Sequence, residues 1–293
     1  MGPNRGISFC GSFLWLLSCL SLITFASSPA HGSSLWGAVG NSVEGGGALV
    51  GKNYDGQPVH CEFRMVIPRE GIPYLGLFPL HTKKGQGPVA GINEKGLAVV
   101  SAAPETISDS RMNPSAERIT EALLTGYETV DALLSAPLAF KKGFPIFYLI
   151  ADRHKIALAE IPPQGDALIR TAENGTLFHT NHYIQQKFID FNKKMRKNSE
   201  LRLERLAGAF TGLAGPLTMD TFIGISKDRG TGTEDAILRF GGPPGSERTL
   251  ASWILSLPKA APPELHVGFF GADETEREYD LRLDRSFWSE AVE

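Results

Sequence analysis

The sequence predicts a layered α+β domain rather than an alternating βαβ fold. Two observations carry this. The first half is a series of short apolar runs separated by Gly-rich and Pro-rich turns, as strands and hairpins require. Helix-spaced apolar residues are confined to the middle of the chain, and strands then resume, so elements of one kind come in groups. No glycine fingerprint for a nucleotide, P-loop or His-Glu-x-x-His zinc motif interrupts the pattern. Gly-x-Ser-x-Gly is also absent, which argues against an α/β-hydrolase.

Leu35–Val39 and Ala48–Asn53 are the first predicted strands, with Val43-Glu44-Gly45-Gly46-Gly47 as a natural hairpin connection. Cys61–Pro68, Tyr74–Phe78 and Leu97–Ala103 follow, and Asn93-Glu94-Lys95-Gly96 reads as a tight turn between strands. Over Glu117–Leu134, Ile119, Leu123, Leu124, Val130, Leu133 and Leu134 recur at helical spacing. Ile146–Ala151 and Lys155–Glu160 form a predicted hairpin through Asp152-Arg153-His154, and Leu168–Thr171 with Thr176–His179 is read in the same way. From Tyr183 to Phe210 the pattern is helical and charged. Thr218, with Asp220 and Thr221, is placed to cap another helix. Thr249–Leu257 and Glu264–Phe270 return to strand.

Residues 1–32 read as a secretory leader, with Arg5 at its positive end and an apolar core over Phe13–Phe25. That core is shorter than the about 20 residues a membrane helix needs, so no stable membrane anchor is expected. Small residues at −3 and −1 place a cut after Gly32, in Ala30-His31-Gly32, and the mature chain then starts at Ser33 with a free α-amine. Ser28-Pro29-Ala30 offers a second cut, which leaves His31-Gly32 to be removed by trimming or self-cleavage. Both remain open, and either gives a secreted or periplasmic protein. Residues 33–293 form one expected domain. Cys10 and Cys19 leave with the leader, so Cys61 has no intramolecular disulfide partner. Loss of Arg5 makes the formal charge more negative than −3, and no basic block exists, which excludes nucleic acid as an expected partner.

Four segments, in order, resemble the choloylglycine hydrolase and isopenicillin-N acyltransferase group of N-terminal nucleophile (Ntn) hydrolases, which act on linear amide C–N bonds. They are Ser33-Ser34-Leu35-Trp36-Gly37 running on to Gly51-Lys52-Asn53-Tyr54-Asp55; Gly91-Ile92-Asn93-Glu94-Lys95-Gly96-Leu97-Ala98; His179-Thr180-Asn181-His182-Tyr183 with the helical run Asn198–Leu206; and Arg248-Thr249-Leu250-Ala251 with Tyr279-Asp280-Leu281. The resemblance implies a four-layer αββα sandwich, two antiparallel sheets between helical layers.

It also implies site residues. Ser33 occupies the nucleophile position, where the family usually has Cys. Asp55 matches the Asp beside the nucleophile's amine, and Lys52 the neighbouring basic position, often Arg. Gly56 stands where many relatives carry Trp. Asn181 matches the Asn whose side-chain amide helps bind the oxyanion. An Arg in the helical segment supports the site, and Arg202 is the better match than Arg205. On chemical grounds an N-terminal Ser carries its own candidate base, because an α-amine titrates at about 7.7–8.0. A hydroxyl depends on its base more than a thiol does. His179 and His182 lack a third ligand at suitable spacing and read as structural. His60 cannot easily activate Cys61, since adjacent strand residues face opposite ways.

The expected activity is hydrolysis of, or acyl transfer from, a small-molecule linear amide through an acyl-enzyme on Ser33. No metal or organic cofactor is expected, and a homo-oligomer is left open. The rival expectation is an exported binding protein on the same fold that turns over weakly or not at all. Substrate choice is expected in Pro104–Asn113 and Lys227–Glu234, which follow no motif.

Overall fold

The computed structural model describes residues 32–80, 87–105, 115–136, 140, 145–193, 195, 197–212, 215–232, 234–240, 245–271 and 275–290. The expected leader up to residue 31, and most of the Pro104–Asn113 segment, lie outside these described residues. No helix among the described residues is long and apolar enough to cross a membrane.

Two sheets are built entirely from antiparallel pairs. The first takes the order β10 (Gly175–His179), β1 (Ser33–Val39), β2 (Ala48–Gly56), β11 (Arg248–Leu257), β12 (Glu264–Phe270), β13 (Glu276–Arg282). The second runs in chain order: β3 (His60–Val66), β4 (Tyr74–Leu80), β5 (Ala90–Asn93), β6 (Ala98–Ala102), β7 (Ile146–Ala151), β8 (Ile156–Ile161), β9 (Leu168–Ala172).

Alternate side chains fill three cores. Leu35, Val50, Tyr54 and Trp253 of the first sheet meet Leu77, Ile92, Val100 and Leu149 of the second between the sheets. On the outer face of the second sheet, Val99, Tyr148 and Ile150 pack on α1 (Ser115–Gly126) and α2 (Val130–Leu134) through Leu123, Leu124, Val130 and Leu133. On the outer face of the first, Trp36, Leu49 and Ile254 pack on α3 (Lys197–Thr211) and α4 (Met219–Ser226) through Leu206, Phe222 and Ile225. The layers are therefore helix, sheet, sheet, helix, as an α+β sandwich requires.

Several elements differ from expectation for local reasons. The helical patch divides at 127–129, where the Thr129 side chain accepts from Ala132 N–H and caps α2. β9 and β10 are not a hairpin: the chain passes from the second sheet to the first between them, and β10 pairs with β1 instead. Strand propensity marks each segment but does not choose its partner. Only part of the Tyr183–Phe210 stretch is α-helical, since a 3-10 segment covers Gln186–Asn192 and α3 starts at Lys197. Thr218 and Thr221 do close a reciprocal capping box at the start of α4.

Gly51 sits opposite Trp36 in the β1–β2 ladder. A Cβ there would lie 2.1 Å from the Trp36 ring, so only glycine admits the indole. Gly51→Ala is expected to lower unfolding free energy by about 1–3 kcal/mol, read by urea denaturation. An unchanged midpoint contradicts this packing.

Candidate active site

Ser33 opens β1 opposite Tyr54, and Leu35 lies opposite Lys52. Antiparallel partners share a face and alternate residues return to it, so all four point between the sheets. Lys52 Nζ lies 3.1 Å from Ser33 Oγ and also donates to the Ser101 carbonyl on β6 of the opposite sheet. Ser33 is 2% exposed and Lys52 1%. Burial brings the Lys52 ammonium down from 10.5 to about 7, against the attraction of Asp55 and Cys61, which holds it up.

The main chain of Ser33 is clamped from the other face. Arg202, buried on α3, donates through NH1 to the Ser33 carbonyl at 2.8 Å and to Ser34 Oγ at 3.0 Å. Its NH2 donates to Asn181 Oδ1 at 2.9 Å and faces Glu105 at 3.6 Å. Burial lowers its pKa, but a guanidinium keeps its charge at neutral pH. Arg205, three residues on, turns instead to Asp228 and Asp235 on the segment after α4. Asn181 Oδ1 also accepts the Ser33 N–H at 2.7 Å, while Nδ2 donates to the Ala103 carbonyl at 2.8 Å. It is therefore the oxygen of Asn181 that meets Ser33. The Asn181 N–H is held by Ser199 Oγ on α3, which ties the end of β10 to the helix bearing Arg202.

Asp55, next to last in β2, lies on the face away from Lys52. Its Oδ1 accepts from Thr249 Oγ1 at 2.8 Å, and Oδ2 lies 3.4 Å from Arg239 NH1. Arg239 in turn pairs with Glu247 at 3.2 Å. This trio surrounds Gly32, whose carbonyl accepts from Asp55 N–H at 3.0 Å and whose N–H donates to Glu247. A Cβ on Gly32 would come within 2.8 Å of the far ends of both Arg239 and Glu247, so any larger residue there requires these side chains to shift. Asp55 thus reaches the residue before Ser33, not the hydroxyl. Arg239 and Glu247 escaped the sequence reading, and the adjoining Arg248-Thr249 segment was the available signal.

His179 faces Glu160 at 3.3 Å, and His182 bonds Ser199 Oγ at 2.8 Å. Burial first, then His179 and Arg202, bring His182 down to about 4, so it is neutral at physiological pH. No group of three His, Cys, Asp or Glu suited to a metal occurs among the described residues. Burial pushes the Cys61 thiol up to about 12, which leaves it a poor nucleophile. With Phe63, Leu250, Phe269 and Tyr279, Cys61 lines a cavity of about 680 Å³ between β3 and the β11–β13 end of the first sheet.

Residues 42–261 match the sequence model of the acyl-coenzyme A:6-aminopenicillanic acid acyl-transferase family. No curated protein matches the chain in sequence. Among solved structures, penicillin V acylase from Agrobacterium tumefaciens superposes with a TM-score of 0.51 at 12% identity, over 86% of this chain and 88% of that one. An N-acylethanolamine-hydrolyzing acid amidase ortholog from Caenorhabditis elegans gives 0.49 at 12% identity, over 78% and 94%. A mutant conjugated bile acid hydrolase from Clostridium perfringens gives 0.45 at 13% identity, over 85% and 92%.

Proposed function

The chain belongs to the acyl-coenzyme A:6-aminopenicillanic acid acyl-transferase family of Ntn-type amide hydrolases and acyltransferases, and we propose that Ser33 is its nucleophile. One observation carries this reading: the Ser33 hydroxyl, at the start of β1, meets a buried amine while its main chain is clamped by Arg202 and Asn181. Oγ attacks the amide carbonyl and gives its proton to a base within reach. The C–N bond breaks, the amine leaves with a proton, and an acyl ester remains on Ser33. Water, or an acceptor amine, then releases the acyl group. Arg202 holds the Ser33 carbonyl and so fixes the direction of Oγ. Oxyanion donors are the Asn181 Nδ2 and backbone N–H groups, which must move onto the developing charge.

Export with a cut after Gly32 belongs to the same proposal. The new amine would sit at the nitrogen that faces Asn181 Oδ1, and loss of Gly32 would open the cradle of Asp55, Arg239 and Glu247. The cavity beside Cys61, where Phe63, Phe269 and Tyr279 stand with Glu62, Arg248 and Arg277, is the proposed seat of a substrate part that carries both apolar and polar groups.

The test is release of free amine from penicillin V, a conjugated bile acid and an N-acylethanolamine by the purified mature chain, together with N-terminal sequencing. Amine release from at least one of them, by a chain starting at Ser33, supports the reading. Tight binding of an amide with no release favours the binding-protein rival instead.

A further inference from the structure

We propose that Lys52 is the general base and general acid for Ser33, in the role otherwise given to the Ser33 α-amine. This rests on Ser33 as the nucleophile. Among the described residues, Lys52 is the side chain hydrogen-bonded to Ser33 Oγ, at 3.1 Å. The Ser33 nitrogen is poorly placed for the same task. In the uncut chain it is a peptide N–H donated to Asn181 Oδ1 at 2.7 Å, and in the cut chain direct transfer from Oγ to the nitrogen of the same residue is far from linear.

The surroundings of Nζ are those of a base. Cys61 from β3, the Tyr54 ring at 5.3 Å, and the Ser101 carbonyl from β6 surround it; the Asp55 charge acts from the opposite face of its own strand, and Arg202 from α3 lies on the far side of Ser33. Asp55 and Cys61 favour the ammonium, but Lys52 and Ser33 are almost fully buried. Burial prevails and sets the amine to about 7. A neutral Nζ keeps one N–H on the Ser101 carbonyl and aims its lone pair at Oγ, so the 3.1 Å contact reverses and Oγ–H donates. Arginine, which stays protonated above about 12, cannot do this.

The steps balance. Oγ bonds to the amide carbon as its proton moves to Nζ, and the resulting ammonium gives that proton to the leaving nitrogen as C–N breaks. In the second half, water attacks the ester, its proton passes to Nζ and then to Oγ, and a carboxylic acid leaves. Below pH 7 Nζ is protonated and has no lone pair, so activity falls on the acid side with a midpoint near 7.

The experiment compares the wild type, Lys52→Arg, Lys52→Met, Ser33→Cys, Ser33→Cys/Lys52→Arg and Ser33→Ala on one amide that the wild type hydrolyses. Folding of each is checked by thermal melting. Lys52→Arg and Lys52→Met are expected to lose roughly 10²–10⁴-fold in kcat with little change in KM. The acid limb near pH 7 should vanish with them. In the Ser33→Cys background, Lys52→Arg should cost at most about tenfold, since a thiol ionises with less help. If Lys52→Arg keeps kcat within about threefold and retains the acid limb, the α-amine is the base and the proposal is overturned. Activity surviving in Ser33→Ala overturns the nucleophile reading itself, a separate result. Should the Lys52 variants fail to fold, the Cε resonance of Lys52 in ¹³C-lysine wild type decides: a midpoint near pH 7 supports the proposal, and one above about 10 overturns it.

Discussion

Ser33→Ala is expected to abolish amide turnover, with kcat down by roughly 10⁴–10⁶-fold, while the protein stays folded. The two halves of this expectation have different physical sources. The catalytic loss follows because, among the described residues, no other hydroxyl or thiol takes the position: Ser34 points to the opposite face onto Arg202, and Cys61 is held as a thiol by burial. The small structural cost follows because, among the described residues, Oγ has one hydrogen bond, to Lys52, whose Nζ keeps its bond to the Ser101 carbonyl. Loss of such a bond costs about 1 kcal/mol. Steady-state hydrolysis beside a urea titration measures both. A variant that retains activity within tenfold removes Ser33 from the chemistry, and a variant that unfolds contradicts the account of its bonding.

Arg202→Met carries the largest expected effect on stability. A fully buried guanidinium here serves the Ser33 carbonyl, Ser34 Oγ and Asn181 Oδ1 and lies against Glu105. Methionine fills much of the volume but removes the donors that serve these acceptors and the cation facing Glu105. Removing one partner of such a buried set costs about 3–5 kcal/mol. Lysine should not rescue it, because one ammonium cannot span the forked geometry that joins β1 to the end of β10. Urea unfolding of Arg202→Met and Arg202→Lys checks this. A loss below about 1 kcal/mol for Arg202→Met would mean that the clamp is not structural.

Much of the site follows from the hairpin that the Gly45-Gly46-Gly47 turn announces. Once that turn closes and Leu35 stands opposite Lys52, period-two alternation alone puts Ser33 and Lys52 on one face and Ser34 and Asn53 on the other. Arg202 was likewise legible, since its segment follows the His179–Tyr183 motif that ends β10. The rest depends on contacts that no local pattern encodes. Ser101 meets Lys52 only because the second sheet lies across the first. Arg239 and Glu247 reach Gly32 from a segment whose strand, β11, pairs with β2 across most of the chain. Resemblance sets Asp55 near the nucleophile, but its carboxylate is held by Thr249 and Arg239, and it is its backbone N–H that bonds Gly32. β9 and β10 show the same limit in the fold, because two adjacent strand patterns fit a hairpin and a sheet-to-sheet crossing equally well.

The most direct measurement is the mass of the protein quenched during turnover of an amide it hydrolyses, with the adduct located by peptide mapping. An acyl increment on the peptide containing Ser33, absent in Ser33→Ala, is the predicted result. An adduct on Cys61, or none under conditions in which the acyl-enzyme should accumulate, would contradict a serine nucleophile at the start of β1.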